Sequence, residues 1–271
     1  MPAQIHPTAL IDSSACLGDS VQIGAYSVIG RDVRIGDGTI VKTHCVIDDY
    51  TEIGTECRIH SHATLGTPPQ DLKYQGERTR LTIGNRTVIR EYADLNRGTT
   101  ATGLTSIGDD VLIMAYAHVA HDGHIGDRVI MANSVNLAGH VTVEHDVILG
   151  GMVPVHQFVK IGAYTIVGGG WRVSKDIPPF LTAAGEPLAY KGLNLIGLQR
   201  KGFSNERITR IRHLYRILYQ SRLNVTDALK RIGDELDSRD PDIAYILNFI
   251  ASCTRGIIGG FKRKTHSVSC D

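Results

Sequence analysis

Aromatic residues make up only 6% of this 271-residue chain, and no apolar run approaches the roughly 20 residues that span a bilayer. The first shortage excludes a core built mainly on large flat rings. The second excludes a membrane-spanning helix, and no stable membrane insertion is expected. The N-terminus, MPAQIHPTALIDSS, has no basic start and no apolar stretch behind it. A cytoplasmic protein without a leader peptide is therefore expected. Cysteine is sparse as well. Cys16, Cys45, Cys57, Cys253 and Cys270 are odd in number and form no C-x-x-C pair. That argues against a disulfide framework and a thiolate zinc site, and for reduced thiols.

A net charge of +1 gives no reason to expect a nucleic-acid partner, but it conceals an asymmetry. Residues 190–271 carry 15 Lys+Arg against 8 Asp+Glu, a balance of +7; residues 1–189 carry 14 against 20, a balance of −6. A basic C-terminal part is either a solvated helical surface or a docking face for an acidic partner, because complementary charge steers encounter.

What the chain has in quantity is a repeat of six. Read in sixes from Ile5, the lead residues run Ile11, Leu17, Ile23, Ile29, Ile35, Val41 and on to Leu65. They lapse, return at Ile83, Ile89 and Leu95, and resume from Ile107 to Val173. Glycine often follows the lead, as at Gly18, Gly24 and Gly36, and the fifth position is small or β-branched. Residues two apart in a strand share a face. Each hexad thus supplies a short strand with two inward side chains and a corner, for which the glycines are the expected aid. Six is not a period of a helical apolar face; it marks a parallel β-helix. Three hexads make one triangular coil of 18 residues, so residues 5–178 hold about ten coils.

Two segments break the repeat. Residues 71–82, DLKYQGERTRLT, and 101–106, ATGLTS, read as loops leaving the coil, common places for binding groups. Beyond Pro178-Pro179 the rule ends. Residues 204–221 place Ile208, Ile211, Tyr215 and Leu218 at helical spacing, and 226–237 and 242–254 are two further amphipathic stretches, the first capped by Thr226 or Asp227. The expected organisation is mostly β: a β-helix over 1–189 and a small α-helical domain over 190–271, its tail from about 259 disordered.

Six of the twelve histidines lie in one stretch: His118, His121, His124, His140, His145 and His156. His118 and His124 are sixth in their hexads and His121 is third, so all three face outward from the coil. Gly139 follows His121 by 18 residues and belongs beside it, one coil on. A base and a bare peptide N–H then face one reacting centre. His140 stands in the same relation to Asp122.

The segments HVAHDGHIG, LAGHV, HQF, DLKYQGE, NRGT and LQRKGFS on a hexad coil resemble the UDP-N-acetylglucosamine acyltransferases of lipid A biosynthesis. The resemblance covers nearly the whole chain, through CTRG at 253–256. It implies a left-handed coil, a homotrimer, and no metal or cofactor. It implies direct transfer of a 3-hydroxyacyl group from acyl carrier protein to the 3-position of UDP-N-acetylglucosamine or its 3-amino analogue. His121 matches the family's general base, Asp122 the acid that supports it, and Gly139 the oxyanion donor. His118, His140, His156 and Gln157 match residues lining the cleft. Asp71 and Lys73 match contacts to the sugar; Asn194, Arg200 and Lys201 match the nucleotide and diphosphate end. Gly169 matches the position that measures acyl length, where no side chain blocks a long chain. Asn96 departs from a branch of the family that carries His before RGT, a position near the sugar that bears on whether the 3-position offers a hydroxyl or an amine.

Three rival readings remain at this point. Hexad coils also form zinc enzymes of the carbonic anhydrase type, for which His118, His121, His124 and His140 are candidate ligands. A related acyltransferase would use another acceptor. A non-enzymatic solenoid would need no His–Asp–Gly grouping.

Overall fold

The computed structural model describes residues 1–260. Its strands are short, most of two residues, and those of the coil pair in parallel with the strands one coil away. Ile5 lies beside Ile23, Leu10 beside Val28 and Cys16 beside Arg34, the offset of 18 that three hexads require. Three sheets form the three walls of a prism, two of eight strands and one that continues into the C-terminal part. The core is the stack of lead and fifth residues. Val21, Val33, Val129, Val141, Leu137 and Val143 are fully buried. The first coil has nothing beneath it, which leaves the lead residue Ile5 exposed.

The corners differ from the expectation of glycine turns. The left-handed backbone falls on the fourth residue of the hexad and is mostly carried by other residue types: Tyr26, Asp32, His44, Tyr50, Asp122 and His140 all lie near φ +60°. The glycine after the lead residue serves a different need. A Cβ on Gly24 would lie 2.6 Å from the backbone carbon of Lys42, and one on Gly36 2.7 Å from that of Gly54. These glycines let successive coils approach; they do not make the turn.

Both interruptions begin and end earlier in the chain than expected. Arg80–Ile83 and Leu104–Ile107 are strands, paired with each other in register. Leu81 and Thr105 fill the inward fifth position and are fully buried, so a count of lead aliphatics alone misses them. The chain leaves the coil over 68–79 and 97–103, both times at the corner that later carries His121.

The last coil is closed by Leu181–Ala184, parallel to the strand before it, and Ala189–Leu193 then turns back antiparallel. Four helices follow: α1 Leu195–Arg200, α2 Asn205–Gln220, α3 Val225–Glu235 and α4 Pro241–Ala251. Helix α1 has no counterpart in the sequence reading. Asn224 caps α3, accepting from Asp227 N–H, in place of Thr226 or Asp227. Ile208, Ile211, Tyr215 and Leu218 of α2 are buried, as the helical spacing requires. Helix α4 is fastened to the coil through Tyr245, whose hydroxyl bonds Glu144 and Ala163 N–H. Gly259–Gly260 pairs with Ala189–Tyr190, so the expected disordered tail does not begin there; residues 261–271 lie outside the described residues. Among the described residues no helix is long and apolar enough to cross a membrane.

Candidate active site

The corner at His121 sits where both excursions leave the coil. His121 Nδ1 lies 2.8 Å from Asp122 Oδ2. The Asp122 side chain is completely buried, and three other donors converge on it. Thr99 gives its N–H at 3.1 Å and its hydroxyl at 2.6 Å, and Thr102 gives its hydroxyl. Asp122 N–H itself donates to Thr105 Oγ1. Burial alone would raise the Asp122 carboxyl, but the bonds from Thr102, Thr99 and His121 outweigh it and hold it down at about 2. An ionised carboxylate only accepts, so the imidazole proton sits on Nδ1 and Nε2 keeps a free lone pair. Thr99, Thr102 and Thr105 were not singled out from sequence.

Gly139 is one coil on. A Cβ there would lie 2.7 Å from His121 Nε2 and 2.5 Å from Cε1, so the ring occupies the space any side chain would need. Among the described residues Gly139 N–H has no partner, while His140 N–H donates to His121 O. The rings of His121 and His140 meet edge to face at 5.2 Å, and His140 stacks on Phe158 at 4.5 Å. His121, Asp122 and His140 lie close enough to consider a metal. The donor set does not suit one. Asp122's lone pairs are taken by hydroxyl, amide and imidazole hydrogens. The other two histidines a zinc site would draw on are bonded elsewhere: His118 to Asp94 and His124 to Ser106.

A second His–Asp pair joins this coil to the one before it. His118 Nδ1 is 2.9 Å from Asp94 Oδ2, and Thr64 and Thr67 hydroxyls donate to Asp94 Oδ1. Asn96 is only 1% exposed; its side chain does not face the surface but donates to Thr67. The neighbouring Arg97 is also buried and holds the 68–79 excursion, donating to Tyr74 Oη at 3.2 Å and to Asp49 O. In that excursion Asp71 accepts from Lys73 N–H, a local turn that leaves the Lys73 ammonium exposed. His156 and Gln157 stand one coil beyond Gly139, His156 Nδ1 bonding Gln157 O. Gly169 is exposed, and a Cβ there would meet Gly151 O at 3.0 Å; the left-handed corner belongs to Gly170.

The remaining sequence candidates are elsewhere. Asn194 is buried, capping α1 through Gly197 N–H and donating to Tyr164 O. Lys201 Nζ lies 2.5 Å from Asp146, a carboxylate that also receives Arg128 and His145. Burial opposes ionisation of Asp146, but its bonds to Arg128, Lys201 and His145 hold it well below the usual carboxylate range. Asp146 and Tyr164 belong to a different corner of the prism from His121. Within one chain, Asn194, Arg200 and Lys201 therefore do not join the His121 group.

The fold and this corner define a hexapeptide-repeat transferase. The bacterial transferase hexapeptide model matches residues 17–49 and 104–139, and the model described as UDP N-acetylglucosamine O-acyltransferase, domain 2, matches 176–258. The acyl-[acyl-carrier-protein]–UDP-N-acetylglucosamine O-acyltransferase of Verminephrobacter eiseniae is 48% identical over 94% of this chain and 99% of its own. The enzyme of that name from Thiobacillus denitrificans is 51% identical over the same shares. The crystal structure of Francisella novicida UDP-N-acetylglucosamine acyltransferase matches with a TM-score of 0.92 at 35% identity, over 94% of each chain. The chain belongs to the UDP-N-acetylglucosamine O-acyltransferase family, and its coil is left-handed.

Proposed function

We propose that this enzyme moves a 3-hydroxyacyl group from the thioester of an acyl carrier protein to the 3-position of UDP-N-acetylglucosamine or its 3-amino analogue, with His121 as base. The observation that carries the mechanism is the setting of His121: a proton held on Nδ1 by a saturated carboxylate, and Nε2 beside an unpartnered peptide N–H. Nε2 takes the proton of the attacking hydroxyl or amine as the new bond to the thioester carbonyl carbon forms. The oxygen of the tetrahedral intermediate accepts from Gly139 N–H. Collapse breaks the C–S bond, and the leaving thiolate takes the proton back from Nε2. The step needs no enzyme-bound acyl intermediate.

The working unit in this reading is a homotrimer in the cytoplasm, with each cleft shared by two subunits. The separation of Arg200 and Lys201 from His121 within one chain supports it. So does the exposure of Phe158 and Met152, apolar side chains that a neighbour would cover. The excess of Lys and Arg over Asp and Glu in residues 190–271, 15 against 8, suits an acidic carrier protein.

Mixing two variants tests both parts. His121→Ala and Arg200→Ala homotrimers are expected to lose turnover, the first by about 10³-fold, in line with the loss of a general base. Trimers reassembled from both chains contain clefts with His121 from one subunit and Arg200 from the other, and should regain a measurable share of activity. Full activity in His121→Ala removes the mechanism; no recovery on mixing removes the shared cleft.

A further inference from the structure

We infer that Asp94 is a positioning residue that, with Thr67 and Asn96, fixes the tautomer of His118 so that its Nε2 faces the cleft as a hydrogen-bond acceptor. The direction of the relay follows from what each group is able to do. Asn96 is buried and its Nδ2 donates to Thr67 Oγ1 at 2.8 Å. The single hydroxyl hydrogen of Thr67 is thereby turned onto Asp94 Oδ1 at 3.3 Å, where Thr64 also donates at 2.7 Å. Asp94 Oδ2 is left for the ring, 2.9 Å from His118 Nδ1. Burial opposes ionisation of Asp94, but the bonds from His118 and Thr64 outweigh it and keep the carboxyl below its ordinary value, so it accepts from Nδ1–H. His118 Nε2 is then an acceptor with no partner among the described residues.

The backbone is built for this contact. The strand Thr64–Thr67 pairs with Asp94–Asn96 through a bulge that sets Thr67, not Gly66, opposite Asn96. Gly66 lies at φ +77°, and a Cβ there would strike Thr51 Oγ1. The bulge puts both Thr64 and Thr67 hydroxyls on the same carboxylate. Asn96 therefore reaches the cleft through three bonds and not by touching substrate, and a change at Asn96 is read out at His118.

The kinetic part rests on the acceptor reading above; the spectroscopic part does not. Selective ¹⁵N-histidine labelling of the intact protein gives the tautomer of His118 from the one-bond and two-bond couplings of its ring, assigned with His118→Gln. The expected result is Nδ1–H in the unmodified protein and a shift to Nε2–H in Asp94→Asn, whose amide donates where the carboxylate accepted. Thr67→Val, which keeps shape and loses the hydroxyl, should move the populations the same way but less. In turnover assays Asp94→Asn should raise KM for the nucleotide sugar about tenfold with kcat changed less, the size of one lost buried hydrogen bond. An Nε2–H ring in the unmodified protein, or one unmoved by Asp94→Asn, overturns the relay whatever the enzyme acts on. A shifted ring with KM unchanged overturns the claim that Nε2 serves the acceptor.

Discussion

Thr99 Oγ1 donates to Asp122 Oδ2 at 2.6 Å, from a stretch of chain that has left the coil to a carboxylate that has not. Together with Thr102 this contact decides which nitrogen of His121 carries the proton. Asp122→Asn keeps the shape and reverses one donor: the amide points an N–H at His121 Nδ1 and drives the proton to Nε2. A loss of about 10³–10⁴ in kcat is expected with little change in KM, the size seen when a supporting acid is made an amide. Steady-state kinetics beside a melting curve separates this from unfolding.

Asp122 also ties stability to pH. Its folded value, about 2, lies below that of the unfolded chain, near 4. Its contribution, about 2 kcal/mol, is therefore complete above pH 4 and is lost as pH falls from about 4 towards 2. Replacing Thr99 and Thr102 by Val should remove most of that dependence. Urea melts from pH 5 to pH 2 should show a smaller fall in midpoint for the double variant than for the parent.

Gly139→Ala tests the crowding at the base. The added methyl would overlap the His121 ring, with 2.5 Å to Cε1, and the ring must turn out of its bond to Asp122 to make room. Turnover should fall by at least about 10²-fold, with stability changed by no more than about 2 kcal/mol, because the imidazole yields more easily than backbone. Activity near the parent level would show that the ring is not confined there.

The corners predict an inversion of the usual glycine rule. Gly24→Ala puts a methyl against three backbone atoms of the next coil within 2.8 Å and should cost more than about 2 kcal/mol. Glu56→Gly, at φ +56° on the surface, should change stability by less than about 1 kcal/mol, since relief of the left-handed strain offsets the added chain entropy. Thermal melts of the two variants settle the order.

Much of the site was legible because it obeys the coil. Gly139 sits beside His121, and Val143 beside Ile125, through a period that lead aliphatics announce in plain sequence. The partners that tune the two histidines were not. Asp94 pairs with His118 across 24 residues and Thr99 with Asp122 across 23, because the 97–103 excursion inserts chain into that coil. Counting 18 back from His118 lands on Thr100, which faces solvent. An insertion erases the register, and how a loop folds back is decided by which hydroxyls find the buried carboxylate. A second signal was present: Asp94 precedes Leu95 as His118 precedes Val119, the same place in the hexad.

Composition and period alone determined the coil, its length, the outward phase of the histidines and the helical C-terminal part, since burial of an aliphatic every sixth residue allows few other arrangements. Only the folded chain decided that the corners turn on Tyr, His and Asp and that glycine serves close packing. It also decided that Asn96 and Asn194 are buried, and that Lys201 meets Asp146 at a different corner from His121. Those outcomes depend on which atoms meet between successive coils and against the helical part, and contacts between residues so far apart in sequence leave no mark on a local pattern.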